Sequence, residues 1–237
     1  GTTALTTITI PKTVTKAGID VFENSGLKTA TIENGATAVA DNLFSNAKNL
    51  TKVTIPNTVK KVGSMSFYHC EKLSSVTLPN TLTEIGYSAF NGTTALTTIT
   101  IPKTVTKAGN DVFEDSGLKT ATIENGATSV PNNLFSKATN LTQITIPNTV
   151  KKIGSMSFYD CTKLSSVTLP NTLTSIETSA FKNCQAMKSI TIPKSVTYFG
   201  TTAVGYSDGR VIDGFIIYGY KNTKAQTYAT KNKITFK

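Results

Sequence analysis

The sequence predicts a mainly-β repeat solenoid, because the chain repeats itself at two length scales and is rich in threonine. Residues 1–91 and 92–182 align without a gap and differ at 16 positions, which indicates a tandem duplication. Within each copy a shorter unit recurs every 22 or 23 residues, and a unit of that length buries its apolar face only by stacking on its neighbours. The 43 threonines also favour strands, because β-branched side chains suit a pleated surface.

Nine units can be aligned, and we call them rungs 1 to 9. Their first residues are Leu5, Leu27, Leu50, Leu73, Leu96, Leu118, Leu141, Leu164 and Met187. We expect one solenoid domain over residues 1–206 and a C-terminal capping segment over residues 207–237. Because rung 1 begins soon after Gly1 with no capping element before it, we expect the chain to be a fragment of a longer protein.

Rung 3 illustrates the first strand of a rung. Leu50, Val53 and Ile55 are apolar, and Thr54 stands between the last two. This alternation predicts a strand with one buried face. Pro56 has no N–H group to donate, so we expect the strand to end there.

The second half of rung 3 predicts another wall and a corner. Val59 and Val62 resume the inward pattern on a second wall. Gly63 allows a tight corner. The segment from Ser64 to Phe67 is long enough for only a single helical turn, which would place Phe67 in the core.

Written as a pattern, the rung reads LxxIxIPxxVxxIGxxxFxxCxx, and it resembles the BspA-like, TpLRR-type leucine-rich repeats of bacterial surface proteins. Their pattern is close to LxxIxLPxxLxxIGxxAFxxC, and residues 73–90 and 164–184 match it best. The resemblance covers Leu5 to about Tyr206. It implies a right-handed leucine-rich repeat superhelix with a parallel β-sheet, short second-wall strands and helical turns. It also implies a secreted or cell-surface location in a bacterium.

Rungs 2 and 6 depart from this pattern. Glu33 and Glu124 stand where the other rungs have proline. We expect the turn after the first strand to be shifted there, while the apolar ladder is kept.

The C-terminal segment breaks the period and predicts a small α/β cap. VIDGFIIYGY predicts one or two strands around a glycine turn, and KITFK predicts a last strand. Asn222 or Thr223 can cap a short helix that directs Ala225, Tyr228 and Ala229 inward. This ending resembles the closing segment of the same family. We expect it to cover the edge of the last rung, so that the chain is a monomer, with an edge-mediated dimer as the alternative.

Three cysteines occupy the same position in their rungs, which predicts buried thiols that pack as small apolar groups. They are Cys70, Cys161 and Cys184. The last two lie one rung apart, so stacked strands place them near enough for a disulfide without requiring one.

The composition argues against several classes of function. The net charge of +10 rests on 23 lysines and the single arginine Arg210, which gives diffuse attraction but few planar groups for reading phosphates or bases. We therefore expect no specific nucleic-acid partner. The longest apolar run, from Phe215 to Tyr218, is too short to span a membrane.

The sequence predicts no catalytic, cofactor or metal site. The single histidine, His69, becomes Asp160 in the second copy, and its neighbour Cys70 has no evident third partner. Metal-binding spacings of cysteine, histidine or aspartate are absent. The carboxylates that recur at the repeat interval are expected at the surface; they are Glu23, Glu33, Glu114 and Glu124.

The outward positions of the first strands form a candidate binding surface, which we call the hydroxyl face. Its threonines are Thr7, Thr9, Thr29, Thr31, Thr54, Thr98, Thr100, Thr120, Thr122 and Thr145. The face of the nine rungs contains no aromatic residue, so it lacks the usual anchors of tight protein recognition. It predicts either plain exposed strands or a carbohydrate or weak adhesive contact, and an ice-binding array is a more remote alternative.

Lysines recur at the following turn and second wall and form what we call the lysine stripe. They are Lys12, Lys16, Lys60, Lys61, Lys103, Lys107, Lys151, Lys152 and Lys194. Such a stripe is either a solvated face or an attachment surface for polyanions, acting by charge density.

These observations favour a non-enzymatic, extracellular module for adhesion or ligand binding at a bacterial surface. Its partner would be a host protein, a glycan or a cell-wall polyanion. The alternative is a structural spacer that holds another domain, with any enzyme activity lying outside this chain. A binding module should show a surface patch that breaks the repeat symmetry, whereas a spacer should not.

Overall fold

The computed structural model describes residues 5–237 and consists of stacked rungs whose equivalent strands pair in parallel. The first-wall strands are β1 (Thr7–Ile10), β2 (Thr29–Ile32), β4 (Lys52–Thr54), β6 (Ser75–Val76), β8 (Thr98–Ile101), β10 (Thr120–Ile123), β12 (Gln143–Thr145) and β15 (Ser189–Thr191). The second-wall strands are β3 (Ala38–Val39), β5 (Lys61–Val62), β7 (Glu84–Ile85), β9 (Lys107–Ala108), β11 (Ser129–Val130), β13 (Lys152–Ile153), β14 (Ser175–Ile176) and β16 (Tyr198–Phe199). The predicted mainly-β solenoid is confirmed.

Side-chain alternation sets the inside and outside of the first wall. In β8, Ile99 and Ile101 are buried while Thr98 and Thr100 are exposed. Equivalent positions pair across rungs, so each threonine column stays on the outer face and each apolar column stays in the core.

The first-wall sheet is interrupted at equivalent places in the two copies. It consists of β1-β2-β4-β6, then β8-β10-β12, and finally a sheet that begins at β15. The breaks fall beside rungs 4 and 8, which share the sequence LSSVTLPNTL. Rung 8 forms no first-wall strand at residues 165–169.

A third wall closes each rung, and here the structure differs from the expected helical turn. Residues 64–69 form consecutive turns, with Met65 and His69 at φ values of 52° and 50°. The N–H of Phe67 donates to the carbonyl of Ala89 on the next rung at 2.9 Å. A helical turn would direct these groups within its own rung, whereas the observed turns use them to join neighbouring rungs.

Phenylalanine fills the core behind the third wall in eight successive rungs. These residues are Phe22, Phe44, Phe67, Phe90, Phe113, Phe135, Phe158 and Phe181. Neighbouring rings are stacked with centroids 5.0–5.7 Å apart. Offset stacking at such distances adds to the stabilisation that burial supplies. We call this column the phenylalanine stack.

The expected shift of the turn in rungs 2 and 6 is not observed, because the turn closes on the carbonyl of Glu33 just as it closes on that of Pro56 in rung 3. An Oε atom of Glu33 accepts a hydrogen bond from the backbone N–H of Lys12 at 2.8 Å, and Glu124 does the same for Lys103 at 2.9 Å. Gly35 follows at φ 98°, a value that suits glycine because it has no Cβ. Each glutamate therefore ties its rung to the one before.

The capping segment continues the first-wall sheet and covers the end of the stack. It contains the hairpin β17 (Tyr206–Ser207) and β18 (Arg210–Val211), then β19 (Ile216–Tyr218), helix α1 (Lys224–Lys231) and β20 (Thr235–Phe236). Strand β19 pairs with β15, and β20 pairs with β19. The helix buries Ala225, Tyr228 and Ala229, as predicted. Thr223 is its N-cap residue, although the Thr223 hydroxyl donates to the carbonyl of Tyr220 instead of capping the helix.

Candidate functional site

The structure places the ten threonines of the hydroxyl face in two blocks. Thr7, Thr9, Thr29, Thr31 and Thr54 lie on β1, β2 and β4, and the other five lie on β8, β10 and β12. Eight of the ten are exposed, and Thr120 and Thr122 are half-buried. Within each block the hydroxyl columns are in register. The break between β6 and β8 separates the blocks.

A groove opens at this break, between rungs 4 and 5. Its volume is about 500 Å³, and its lining includes the apolar Val76 and Leu78 together with the hydroxyls of Thr77, Thr98 and Thr100. Apolar surface beside a few convergent polar groups is the usual composition of a ligand pocket. We call this site groove 1.

The duplication produces a second groove between rungs 8 and 9. Groove 2 has a volume of about 250 Å³ and is lined by Val167, Thr168, Leu169 and Asn171, which are the equivalents of groove 1 residues. It also contains Tyr220, which the capping segment supplies. Groove 2 is therefore an aromatic version of groove 1.

The strand register explains how tyrosine reaches this face. Strand β19 pairs with β15 so that Tyr218 lies beside Thr191, just as Thr122 lies beside Thr100 in the second copy. Tyr218 therefore takes the place of Thr122, and Tyr220, two residues later, takes the place of Glu124. The two tyrosines are 40% and 58% exposed.

Sequence reasoning missed Tyr218 and Tyr220 because it ended the hydroxyl face at rung 9. The alternation in IIYGY, with every second residue directed outward, was the available signal. Their presence gives the face the aromatic residues that its nine rungs lack.

The lysine stripe is interleaved with carboxylates. Lys61 and Lys107 flank Glu84 on the second wall, and the Lys61 Nζ lies 3.1 Å from a Glu84 oxygen. Lys152 pairs with Glu177 at 3.2 Å. Of the nine lysines in the stripe, all are exposed except Lys61, which is half-buried. The stripe is accessible, but these ion pairs reduce its local charge.

His69 and Cys70 face different surroundings. The Cys70 thiol is buried and donates to the carbonyl of Phe44 at 3.1 Å, and burial raises its pKa well above the usual range. His69 is a turn residue whose ring lies under Gly92, where an added Cβ would be 2.8 Å from the imidazole. The thiol is a neutral core group, unsuited to nucleophilic attack.

The other two cysteines are also buried free thiols. Cys161 donates to the carbonyl of Phe135, and Cys184 donates to the carbonyl of Phe158. Burial raises the pKa of Cys161 well above its usual range and that of Cys184 to about 12. The sequence left open either a disulfide between Cys161 and Cys184 or two free thiols, and the structure has two free thiols. Within residues 5–237 no cluster of histidine, cysteine and carboxylate side chains is suited to a metal ion.

Short parallel strands on two walls, one leucine or methionine at the start of each rung and a stacked core define a leucine-rich repeat solenoid. The chain matches the model of the BspA type leucine-rich repeat region in six copies, over residues 1–119 and 109–234. It belongs to this family.

Solved structures of bacterial leucine-rich repeat proteins resemble the chain. A leucine-rich repeat protein from Eubacterium ventriosum is 33% identical, with a TM-score of 0.65 over 85% of this chain and 58% of that protein. The Treponema pallidum leucine-rich repeat protein TpLRR is 19% identical, with a TM-score of 0.56 over 68% of this chain and 78% of its own. A leucine-rich cell surface protein from Faecalibacterium prausnitzii is 20% identical, with a TM-score of 0.43 over 84% of this chain and 79% of its own.

The chain therefore spans little more than half of the Eubacterium ventriosum protein. A comparison with curated protein sequences gives no significant match. Among the described residues, no helix has the length and apolar character needed to cross a membrane.

Proposed function

We propose that this chain is a non-enzymatic binding module of an extracellular bacterial protein and that it attaches to glycans through the hydroxyl face. The family supports a bacterial surface-type repeat protein. Glycan attachment rests on one observation: a groove occurs twice on the hydroxyl face, and in its second occurrence Tyr220 replaces a glutamate, with Tyr218 beside it on the same face.

The chemistry of groove 2 suits a sugar. Tyrosine offers an apolar ring face and a polar hydroxyl, and a pyranose offers apolar C–H faces and a rim of hydroxyls. Thr168 and Asn171 supply side-chain donors and acceptors beside Tyr220. The exposed tyrosines also make the symmetry-breaking patch expected of a binding module.

The spacer is the competing function. A spacer needs only rung stacking, which the phenylalanine stack and the inter-rung hydrogen bonds supply. It does not need exposed tyrosines at the end of a hydroxyl face. Tyr218 and Tyr220 thus favour a binding module.

A glycan and host-matrix array with the whole chain tests the proposal. We expect a restricted set of glycans to bind. The double variant Tyr218→Thr and Tyr220→Glu gives these two positions the residues found at groove 1. It should weaken these signals by at least about tenfold, because the aromatic stacking surface is lost.

Tyr87→Thr is the matched control. Tyr87 is 50% exposed, lies outside both grooves, and has threonine at its equivalent, Thr178. The control should bind as the unmodified chain does. An array without hits would favour the spacer function. Glycans that still bind the double variant would show that the binding site is not groove 2.

A further inference from the structure

A separate pocket lies between the end of the second wall and the helix of the cap. It has a volume of about 370 Å³ and lies between β16 and α1. This size falls near the lower limit of small-molecule sites. We call it the cap pocket, and it shares no lining residue with either groove of the hydroxyl face.

Two aromatic residues that line the pocket break the repeat symmetry. Tyr198 and Phe199 stand where the second copy has Lys107 and Ala108. Phe199 stacks on Tyr228 with ring centroids 4.7 Å apart, so this aromatic residue packs the helix onto the last rung. Tyr198, at 51% exposed, lies outside that packing. Its ring is available to a ligand.

Hydrogen bonds hold the inner side of the pocket in place. The Tyr206 hydroxyl donates to Oδ1 of Asn232 at 2.7 Å, and Nδ2 of Asn232 donates to the carbonyl of Tyr228 at 2.7 Å. The Tyr228 hydroxyl donates to the carbonyl of Val204 at 3.2 Å. A site whose side chains are fixed before binding loses less conformational entropy on binding.

Two lysines give the pocket a positive charge. Lys224 and Lys231 are seven residues apart on α1 and line the pocket together with Thr227. Neither lysine makes an ion pair among residues 5–237, whereas Lys61 and Lys152 of the lysine stripe do. No aspartate or glutamate lines the pocket. The charge is therefore available for an anionic ligand.

We propose that the cap pocket binds an acidic sugar, namely a pyranose ring that bears a carboxylate. The ring stacks on Tyr198, and the carboxylate lies between the ammonium groups of Lys224 and Lys231. Thr201 and Thr227 provide hydroxyls for the sugar rim. Aromatic stacking and charge act together here, which separates this site from diffuse attraction to the lysine stripe.

Titration of the whole ¹⁵N-labelled chain with glucuronic acid, glucose and acetate tests the proposal by NMR. Glucuronic acid should shift the amide signals of residues 197–202 and 224–232 in a saturable manner. Glucose and acetate should each bind at least about tenfold more weakly, because each offers only one of the two interactions. If acetate bound as tightly as glucuronic acid, the proposed role of the sugar ring would be overturned. If glucose bound as tightly as glucuronic acid, the proposed role of the lysines would be overturned.

Variants separate the cap pocket from general electrostatics. Tyr198→Ala, and separately Lys224→Gln with Lys231→Gln, should each weaken glucuronic acid binding by about tenfold or more. The control Lys221→Gln with Lys237→Gln removes the same charge from exposed cap residues outside the pocket. A control that weakens binding as much as the pocket pair would overturn the proposal. Thermal unfolding of each variant should match the unmodified chain, since all three pocket side chains are exposed.

Discussion

Single residues in the phenylalanine stack show how a repeat protein with a narrow core is stabilised. Each ring in the middle of the stack contacts a ring above and a ring below. The ends differ, because Phe22 has a stacked partner on one side only among the described rungs. The same residue type should therefore contribute differently according to its rung.

Phe67→Ala and Phe158→Ala should each lower the free energy of unfolding by about 3–5 kcal/mol, because both remove a fully buried ring and leave a cavity. Chemical denaturation measures the loss. Phe22→Ala at the first described rung is the matched control and should cost less. A loss below about 1 kcal/mol at Phe67 would contradict its place in the core.

The buried thiols give the protein a stability that depends on pH. Burial raises the pKa of all three thiols in the folded state, that of Cys184 to about 12. The unfolded chain loses these protons above about pH 8.5 while the folded chain keeps them. Stability from this source is thus complete below pH 8.5 and is lost as the pH rises toward 12.

At pH 10 each thiol should lower the free energy of unfolding by about 2 kcal/mol relative to pH 8. Replacing all three cysteines by alanine, the residue that Ala47 and Ala138 supply at this position, should remove this part of the alkaline loss. Urea denaturation at several pH values measures it. Identical pH profiles for the two proteins would mean that the thiols ionise in the folded state.

At the scale of elements, most strands of the nine rungs were predictable because each apolar position recurs at a fixed interval, but the expected first-wall strand of rung 8 does not form. The conformation of the third wall was not predictable from the sequence. Met65, Ser88 and Lys137 adopt positive φ, which non-glycine residues seldom do, and hydrogen bonds between rungs hold them there. This conformation follows from stacking, which a single rung does not contain.

The candidate site was predictable in its hydroxyl columns but not in its grooves. The columns follow from alternation within each strand. The grooves follow from breaks between strands, and the tyrosines enter through the pairing of β19 with β15. The ion pairs that interrupt the lysine stripe likewise depend on which rung lies next to which.

The capping segment should matter more than its length suggests. Deleting residues 214–237 removes β19, β20 and α1, which bares the edge of β15 and the packing surface of Phe199. We expect aggregation or strand-mediated dimers, because an uncovered edge pairs with other chains. Light scattering and thermal melting measure this. A truncated chain that stays monomeric and equally stable would contradict the role of the cap.

For the whole molecule, the net charge of +10 makes any attraction to polyanions a collective property. Retention on heparin should fall steeply between low and physiological salt, because the screening length shrinks to about 8 Å. Replacing Lys60, Lys61, Lys151 and Lys152 together by alanine should weaken retention, while no single replacement should abolish it.

The matched control is replacement of Lys188, Lys221, Lys233 and Lys237, four exposed lysines outside both the lysine stripe and the cap pocket, which removes the same charge. It should reduce heparin retention less if the lysine stripe is an attachment surface. An equal reduction would mean that the stripe only solubilises the protein. The comparison is stringent because Lys61 and Lys152 are already paired with carboxylates, which reduces the charge that the lysine stripe offers to heparin.

The duplication also sets the distance between the two grooves. Grooves 1 and 2 are four rungs apart, and parallel strands are spaced by about 4.8 Å, so equivalent points in the two grooves lie about 19 Å apart along the stack. A polymer whose binding unit recurs at that interval engages both grooves at once. Its second contact is then intramolecular, and a long glycan is held far more tightly than its isolated repeat unit.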